Sequence, residues 1–381
     1  MNPITLLQPP RLVFGEGCAL QAAGYLAGHG VRKALLVSSS HVLPHLDHLL
    51  QGFAKAGVAL VSVPPVDAEP TMAEFERLLE KVRRETVEVV LGVGGGSVID
   101  VAKLLAALMD GRQSIREVVG IDRLKGRKLL LVCMPTTAGT GAEVSPNAIL
   151  LDENDALKKG VVSAHLVPDA AYVDPVMTWT VPPDVTAATG LDALTHCIEA
   201  YANKFAHPMV DHQALQGIRL ISGHLLRAVR NGRDGEARSA LALGSLYGGL
   251  CLGPVNTAAV HALAYPLGGR FHVAHGVSNA LLLPHVLQFN FPAAAERYAD
   301  IAEALGLGRN SSSQSTAELG VGRLRNLVKE CGVPQRLSQL GIPREALPEM
   351  ARAAMQVVRL LKNNPRTLSE QDALQIYEAA Y

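Results

Sequence analysis

The sequence predicts an α/β unit with a mainly parallel, Rossmann-like sheet, followed by an all-helical unit. Three observations carry that reading: short β-branched apolar runs alternate with helical patterns in the first half, Pro182-Pro183 breaks the chain near its middle, and long Ala/Leu-rich helical stretches fill the rest. Over 381 residues, 48% apolar and 18% charged residues are enough for two ordinary cores and exclude a disordered chain. Lys+Arg and Asp+Glu balance at 35 each, so no general field attracts polyanions. Nucleic acid and anionic membrane are therefore not expected partners, and small-molecule chemistry is.

In chain order, Lys33 to Ser38, Val58 to Val63, Val87 to Val93, Lys128 to Met134 and Ala170 to Val173 read as strands, with helices at Met72 to Arg84 and Val98 to Met109. The boundary falls at about residue 182, giving residues 1–182 and 183–381. Beyond it, helices are expected at Asp184 to Asn203, His212 to Asn231, Glu236 to Leu252, Ala293 to Leu305 and Arg344 to Leu361, and Gly308 to Ser315 reads as an exposed loop. The opening MNPITLLQPPRLVF lacks the basic and apolar regions of a secretory signal, and the five cysteines show no C-x-x-C spacing. A cytoplasmic location and small core thiols are expected.

Ligands of open parallel sheets bind outside the carboxyl ends of strands, which directs attention to two turns. The run ending at Val93 enters Gly94-Gly95-Gly96-Ser97 and then a helix, where backbone N–H groups can approach a phosphate without Cβ obstruction. The run ending at Met134 enters Pro135-Thr136-Thr137-Ala138-Gly139-Thr140-Gly141, whose hydroxyls suit ribose and diphosphate oxygens. Neither is a standard nucleotide fingerprint, and a tight connection without ligand is the plain alternative. The first strand runs into Ser39 and Ser40 with no acidic residue to hold an adenosine ribose. That absence predicts that a 2′-phosphate is not repelled, so that NADP is used as well as or instead of NAD.

In the helical half, Asp192 and His196 stand four apart and share a helix face. His261 lies in an apolar stretch, and His275 directly precedes Gly276 and a helix-like run. One carboxylate with three imidazoles suits Fe²⁺ or Zn²⁺ better than Mg²⁺ or Ca²⁺. Spacing alone leaves open whether four residues so far apart converge.

Four blocks, GGGSVIDVAK (Gly94 to Lys103), PTTAGTGAEVS (Pro135 to Ser145), TGLDALTHCIEAY (Thr189 to Tyr201) and VHALAYPLGGRFHVAHGVSNALLLPHV (Val260 to Val286), closely resemble the iron-containing, or group III, alcohol dehydrogenase family. The resemblance implies a dehydroquinate synthase-like fold: a dinucleotide-binding domain, a helical metal-binding domain and a cleft in which nicotinamide meets a small alcohol or aldehyde. It further implies metal ligation by Asp192, His196, His261 and His275. Diphosphate contacts would come from Gly95, Gly96 and Ser97, and further nucleotide contacts from Thr136, Thr137 and Thr140. Lys158 matches the lysine directed toward the nicotinamide ribose, and Ser39 stands where many NAD-preferring members carry aspartate. Tyr265 replaces an additional active-site histidine of several members, which leaves Tyr265 and His272 as proton-relay candidates. A homodimer is expected on the same grounds. A dehydroquinate-synthase-like lyase and a catalytically silent nucleotide-binding module remain the rival readings.

Overall fold

The computed structural model describes residues 3–154 and 157–381. Strand β1 (Arg11–Phe14), helix α1 (Gln21–Gly28), β2 (Lys33–Val37), α2 (Asp47–Lys55), β3 (Ala59–Ser62), α3 (Met72–Val82), β4 (Val89–Gly94) and α4 (Gly96–Leu108) alternate along the first third of the chain. They are followed by α5 (Ile115–Val118), β5 (Gly120–Ile121), β6 (Leu130–Pro135), β7 (Asn147–Asp152), β8 (Leu157–Val162) and β9 (Ala170–Val173). Six strands form one all-parallel sheet in the order β1-β9-β6-β4-β2-β3. Strand β2 has β3 on one side and β4 on the other, so the chain's return from β3 to β4 creates a switch point beside the end of β2.

Alternation along the strands explains why helices cover both faces. Leu35, Val37, Val90, Leu131 and Cys133 pack with α3 and α4, whereas Ala34, Leu36, Val89, Leu91, Val132 and Tyr172 pack with α1 and α2. A single buried leucine in such a layer contributes roughly 1.5–3 kcal/mol. All five strands expected from sequence are present. The sequence reading passed over α1, α2, the edge strand β1 and the β7–β8 hairpin. Strand β1 is only four residues long with an exposed and half-buried pattern, too short to show a period. Strands β7 and β8 pair antiparallel outside the main sheet, with β5 parallel to β8.

The second compact unit comprises Val181–Tyr381, with Ala138–Thr140 and N-terminal residues up to Thr5, and the first comprises Leu6–Thr137 and Gly141–Thr180. Its helices are α6 (Pro183–Tyr201), α7 (Pro208–Arg230), α8 (Gly235–Leu252), α9 (Ala259–Phe271), α10 (His275–Asn290), α11 (Ala295–Ala304), α12 (Ser313–Glu330), α13 (Leu347–Met355), α14 (Val358–Leu361) and α15 (Glu370–Ala379). Helix α7 starts at Pro208 rather than His212, because the His207 ring accepts the Met209 N–H and a proline at the first helical position needs no acceptor. The serine-rich stretch expected to be a loop ends in a cap: Ser312 accepts the Ser315 N–H at 3.1 Å and opens α12. The single helix expected over Arg344 to Leu361 is interrupted, since Val357 leaves the helical backbone region (φ −84°, ψ 48°) between α13 and α14. Among the described residues, no helix is long and apolar enough to cross a membrane.

Candidate metal centre and nucleotide turn

Strands β4 and β6 end level with each other, Gly94 pairing with Pro135, so the two turns singled out by sequence emerge side by side. Helix α4 begins at Gly96, two residues earlier than the apolar pattern suggests. Gly95 is its N-cap and has no side chain to bond the first amides, so the N–H groups of Gly96, Ser97 and Val98 have no partner within the helix. A helix start of this kind favours an anion. Glycine is required at 94 for packing: a Cβ there would meet the Val98 side chain at 2.6 Å and force α4 away from the sheet.

Thr136 is buried and donates its N–H to the Gly94 carbonyl at 3.0 Å, fastening the two strand ends together. Thr137 keeps partial exposure and stands against Gly95, while Thr140 is half-buried. Lys158, on β8, is half-buried with its side chain covered, and pairs with Glu69 at 2.5 Å. Ser39 is half-buried beyond β2. This strand end has a carboxylate after all: Asp67, arriving from the loop after β3, accepts the Ser40 N–H at 2.7 Å. The sequence places no acid on β2 itself, and this one reaches the strand end only through the fold.

In the helical unit, Asp192, His196 and Glu199 occupy one stripe of α6, at intervals of four and three residues, and all are buried. His261 comes from α9 and His275 opens α10. Glycine at 276 lets the start of α10 approach α6, because a Cβ there would run into the Ala188 carbonyl. One ligand atom each from Asp192, His261 and His275 falls within a 4.8 Å set, suited to holding a metal ion. Asp192 Oδ1 lies 3.6 Å from Nε2 of both histidines. His196 is outside that set, yet its ring stacks on His261 with centroids 4.7 Å apart. The structure therefore gathers three of the four expected ligands into one set and places the fourth against it.

The electrostatics favour a cation. Burial opposes charge on Asp192, but His196, His275 and His261 together hold its carboxyl well below the usual range. Burial likewise disfavours an imidazolium at His261, yet Glu199 and then Asp192 overcome it and push its pKa up to about 9. Burial lowers His196 despite Asp192, which keeps it neutral and able to donate a lone pair. His196 Nδ1 and His261 Nε2 are buried with no hydrogen-bond partner among the described residues. Orphaned nitrogens beside a buried carboxylate fit a metal of the Fe²⁺ or Zn²⁺ type.

Two supporting residues escaped the sequence reading. Glu199 accepts from the Val260 N–H and from His261 Nδ1, both at 2.6 Å, which orients the ring with Nε2 toward Asp192. Its signal was available as the next residue of the Asp192–His196 stripe. Asn279, one turn after His275, donates to Asp192 Oδ1 at 2.6 Å. Tyr265 follows His261 by one turn, its ring centroid 6.4 Å from that of His275. His272 is exposed at the C-terminus of α9 in the left-handed region (φ 55°). Cys197 faces the core carbonyl of Gly244, and burial pushes its thiol up to about 12, as expected of an inert packing residue.

Open amides at a parallel-sheet turn suit an anion and a carboxylate with imidazoles suits a divalent metal, as expected of a metal-dependent enzyme with a nucleotide cofactor. Residues 9–175 match the model of iron-containing alcohol dehydrogenases, and residues 186–381 match the C-terminal model of the same family. Long-chain-alcohol dehydrogenase 1 of Geobacillus thermodenitrificans is 39% identical over all of this chain and 98% of its own. The 1,3-propanediol dehydrogenase of Citrobacter freundii is 34% identical, covering 97% of this chain and 94% of its own. A solved 1,3-propanediol oxidoreductase superposes over the full length of both chains with a TM-score of 0.96 at 33% identity. The chain belongs to the iron-containing alcohol dehydrogenase family, as its four motif blocks imply, and is an oxidoreductase of that family.

Proposed function

We propose that the chain interconverts small alcohols and aldehydes with a nicotinamide dinucleotide, using Fe²⁺, or Zn²⁺ in its place, held by Asp192, His261 and His275 with His196 completing the set. The observation that carries this reading is the cluster of buried Asp192 and His261 with half-buried His275, in which His261 Nε2 has no hydrogen-bond partner among the described residues. Such an ion would supply Lewis acidity at a substrate oxygen, and a bound nicotinamide would supply hydride chemistry at the adjacent carbon. The chain's own residues do the rest. Glu199 holds the His261 tautomer, Asn279 holds the Asp192 oxygen, and the open amides of Gly96 and Ser97 donate to the diphosphate, with Thr137 against Gly95 and Thr140 assigned as a nucleotide contact on the family resemblance alone. Lys158, tethered by Glu69, supplies positive charge for the nicotinamide ribose. For proton transfer, Tyr265 serves the interior end, one turn from His261, and exposed His272 the solvent end.

Five free, buried cysteines suit a reducing cytoplasm. A homodimer is proposed on family resemblance, with light scattering as its check. Relatives named for long-chain alcohols, 1,3-propanediol and methanol cover a wide range of chain lengths, so the substrate is best found by assay. After metal reconstitution, a panel of alcohols, diols and aldehydes with NAD or NADP should show a net change in reduced-nicotinamide absorbance. Product formation with no net change would replace this reading with the lyase, which recycles its cofactor within each turnover.

A further inference from the structure

We propose that Asp67 selects NAD over NADP by occupying the place where a 2′-phosphate would sit. The inference rests on the nucleotide reading above and adds to it the residue that sets cofactor choice. In a doubly wound sheet, the diphosphate lies at the glycine turn beside the switch point, and the adenosine ribose lies at the end of the neighbouring strand, where a carboxylate pairs with its 2′-hydroxyl. Here the glycine turn follows β4, and its neighbour across the switch point is β2. The two strand ends are joined directly, since Ser38 Oγ donates to the Val93 carbonyl at 2.7 Å. The ribose position is thus the Ser39-Ser40 turn, which carries no acid of its own.

The loop after β3 supplies one. It runs alongside β2 and past its end: Val63 N–H donates to Leu36 at 3.1 Å, Val66 N–H to the Ser38 carbonyl at 2.9 Å, and Ser40 N–H to Asp67 Oδ1 at 2.7 Å. Pro64 and Pro65 lie between the first two of these bonds and restrict the backbone there. Asp67 is therefore positioned by its backbone as well as by its side chain. Ser40 and Asp67 are both exposed, open to an incoming ligand. The Ser40 amide, then its hydroxyl, and more weakly His41, hold the Asp67 carboxyl below its ordinary range, so its charge persists at neutral pH. A carboxylate offers about four acceptor sites, which leaves room for ribose hydroxyls beside Ser40. A 2′-phosphate would instead meet like charge. Arg77 and Lys81 of α3 line the same hollow as Asp67 and are the groups that would receive that phosphate if Asp67 did not govern the site.

Calorimetric titration of the full-length protein with NAD⁺ and NADP⁺, with no turnover involved, tests the assignment. Asp67→Asn keeps an Oδ1 acceptor for the Ser40 amide while removing the charge, and a melting temperature equal to wild type confirms that the fold is unchanged. Wild type is expected to bind NAD⁺ at least about tenfold more tightly than NADP⁺, and the variant to lose that preference, gaining NADP⁺ affinity while NAD⁺ affinity falls, so that the ratio drops about tenfold or more. Equal binding of the two dinucleotides by wild type, or an unchanged ratio in the variant, overturns the role of Asp67 and leaves the nucleotide site standing. Failure of wild type to bind either dinucleotide overturns both.

Discussion

The two candidate sites are built by opposite means. In the α/β unit, the phosphate turn is made of backbone: four consecutive residues, Gly94 to Ser97, join a strand to a helix and expose amides that depend little on side chains. In the helical unit, the metal cluster is made of side chains, drawn from α6, α9 and α10 and separated by as many as 83 residues between Asp192 and His275. A site built from backbone tolerates side-chain change but not a change of turn geometry. A site built from distant side chains depends on helix packing and on the groups that orient each ligand.

Breaking the orienting groups is expected to have the largest effect. Glu199→Gln removes the charge that supports His261 and should lower metal affinity about 10- to 100-fold, read by competition with a chromogenic chelator, while NAD⁺ affinity stays within threefold. Unaltered metal affinity would mean that helix packing alone orients His261. The complementary change, Gly94→Ala, sets a Cβ against Val98 and should weaken NAD⁺ binding about tenfold and cost about 1–3 kcal/mol of stability, with metal content unchanged. A loss of metal in that variant would show that the two sites are not separable.

The smallest effect is read in stability alone. Burial raises Glu143, in the segment after the second nucleotide loop, from 4.5 to about 7. Between these values the folded chain keeps a proton that the unfolded chain has released, so stability falls as pH rises through the window and reaches its full loss above pH 7. Asp100, pushed up to about 6 by burial, acts in the same direction. Urea unfolding at pH 5 and pH 8 should therefore show Glu143→Gln gaining up to about 3 kcal/mol relative to wild type at the higher pH. Parallel profiles for the two proteins would show that Glu143 is ionised without penalty.

The same contrast explains what could be read from sequence. The five expected strands and the glycine turn were legible because they are local: a run of apolar residues and the glycines behind it announce themselves within about ten positions. Short edge strand β1 was not, since its partner β9 lies far along the chain. Asp192 and His196 were visible as a helical pair, but their convergence with His261 and His275 needed the family resemblance, because spacing says nothing about how α9 and α10 pack on α6. Asp67 went unnoticed for a related reason. It belongs to the loop after β3, and only the pairing of that loop with the end of β2 brings it to the ribose position.

Metal held by side chains from three helices is the central claim, and His261→Ala examines it most directly. Elemental analysis of wild type should find about one iron or zinc per chain. The variant should carry only traces and lose turnover, while calorimetry shows NAD⁺ binding within threefold of wild type. A variant that retains a full equivalent of metal and wild-type turnover would contradict the account.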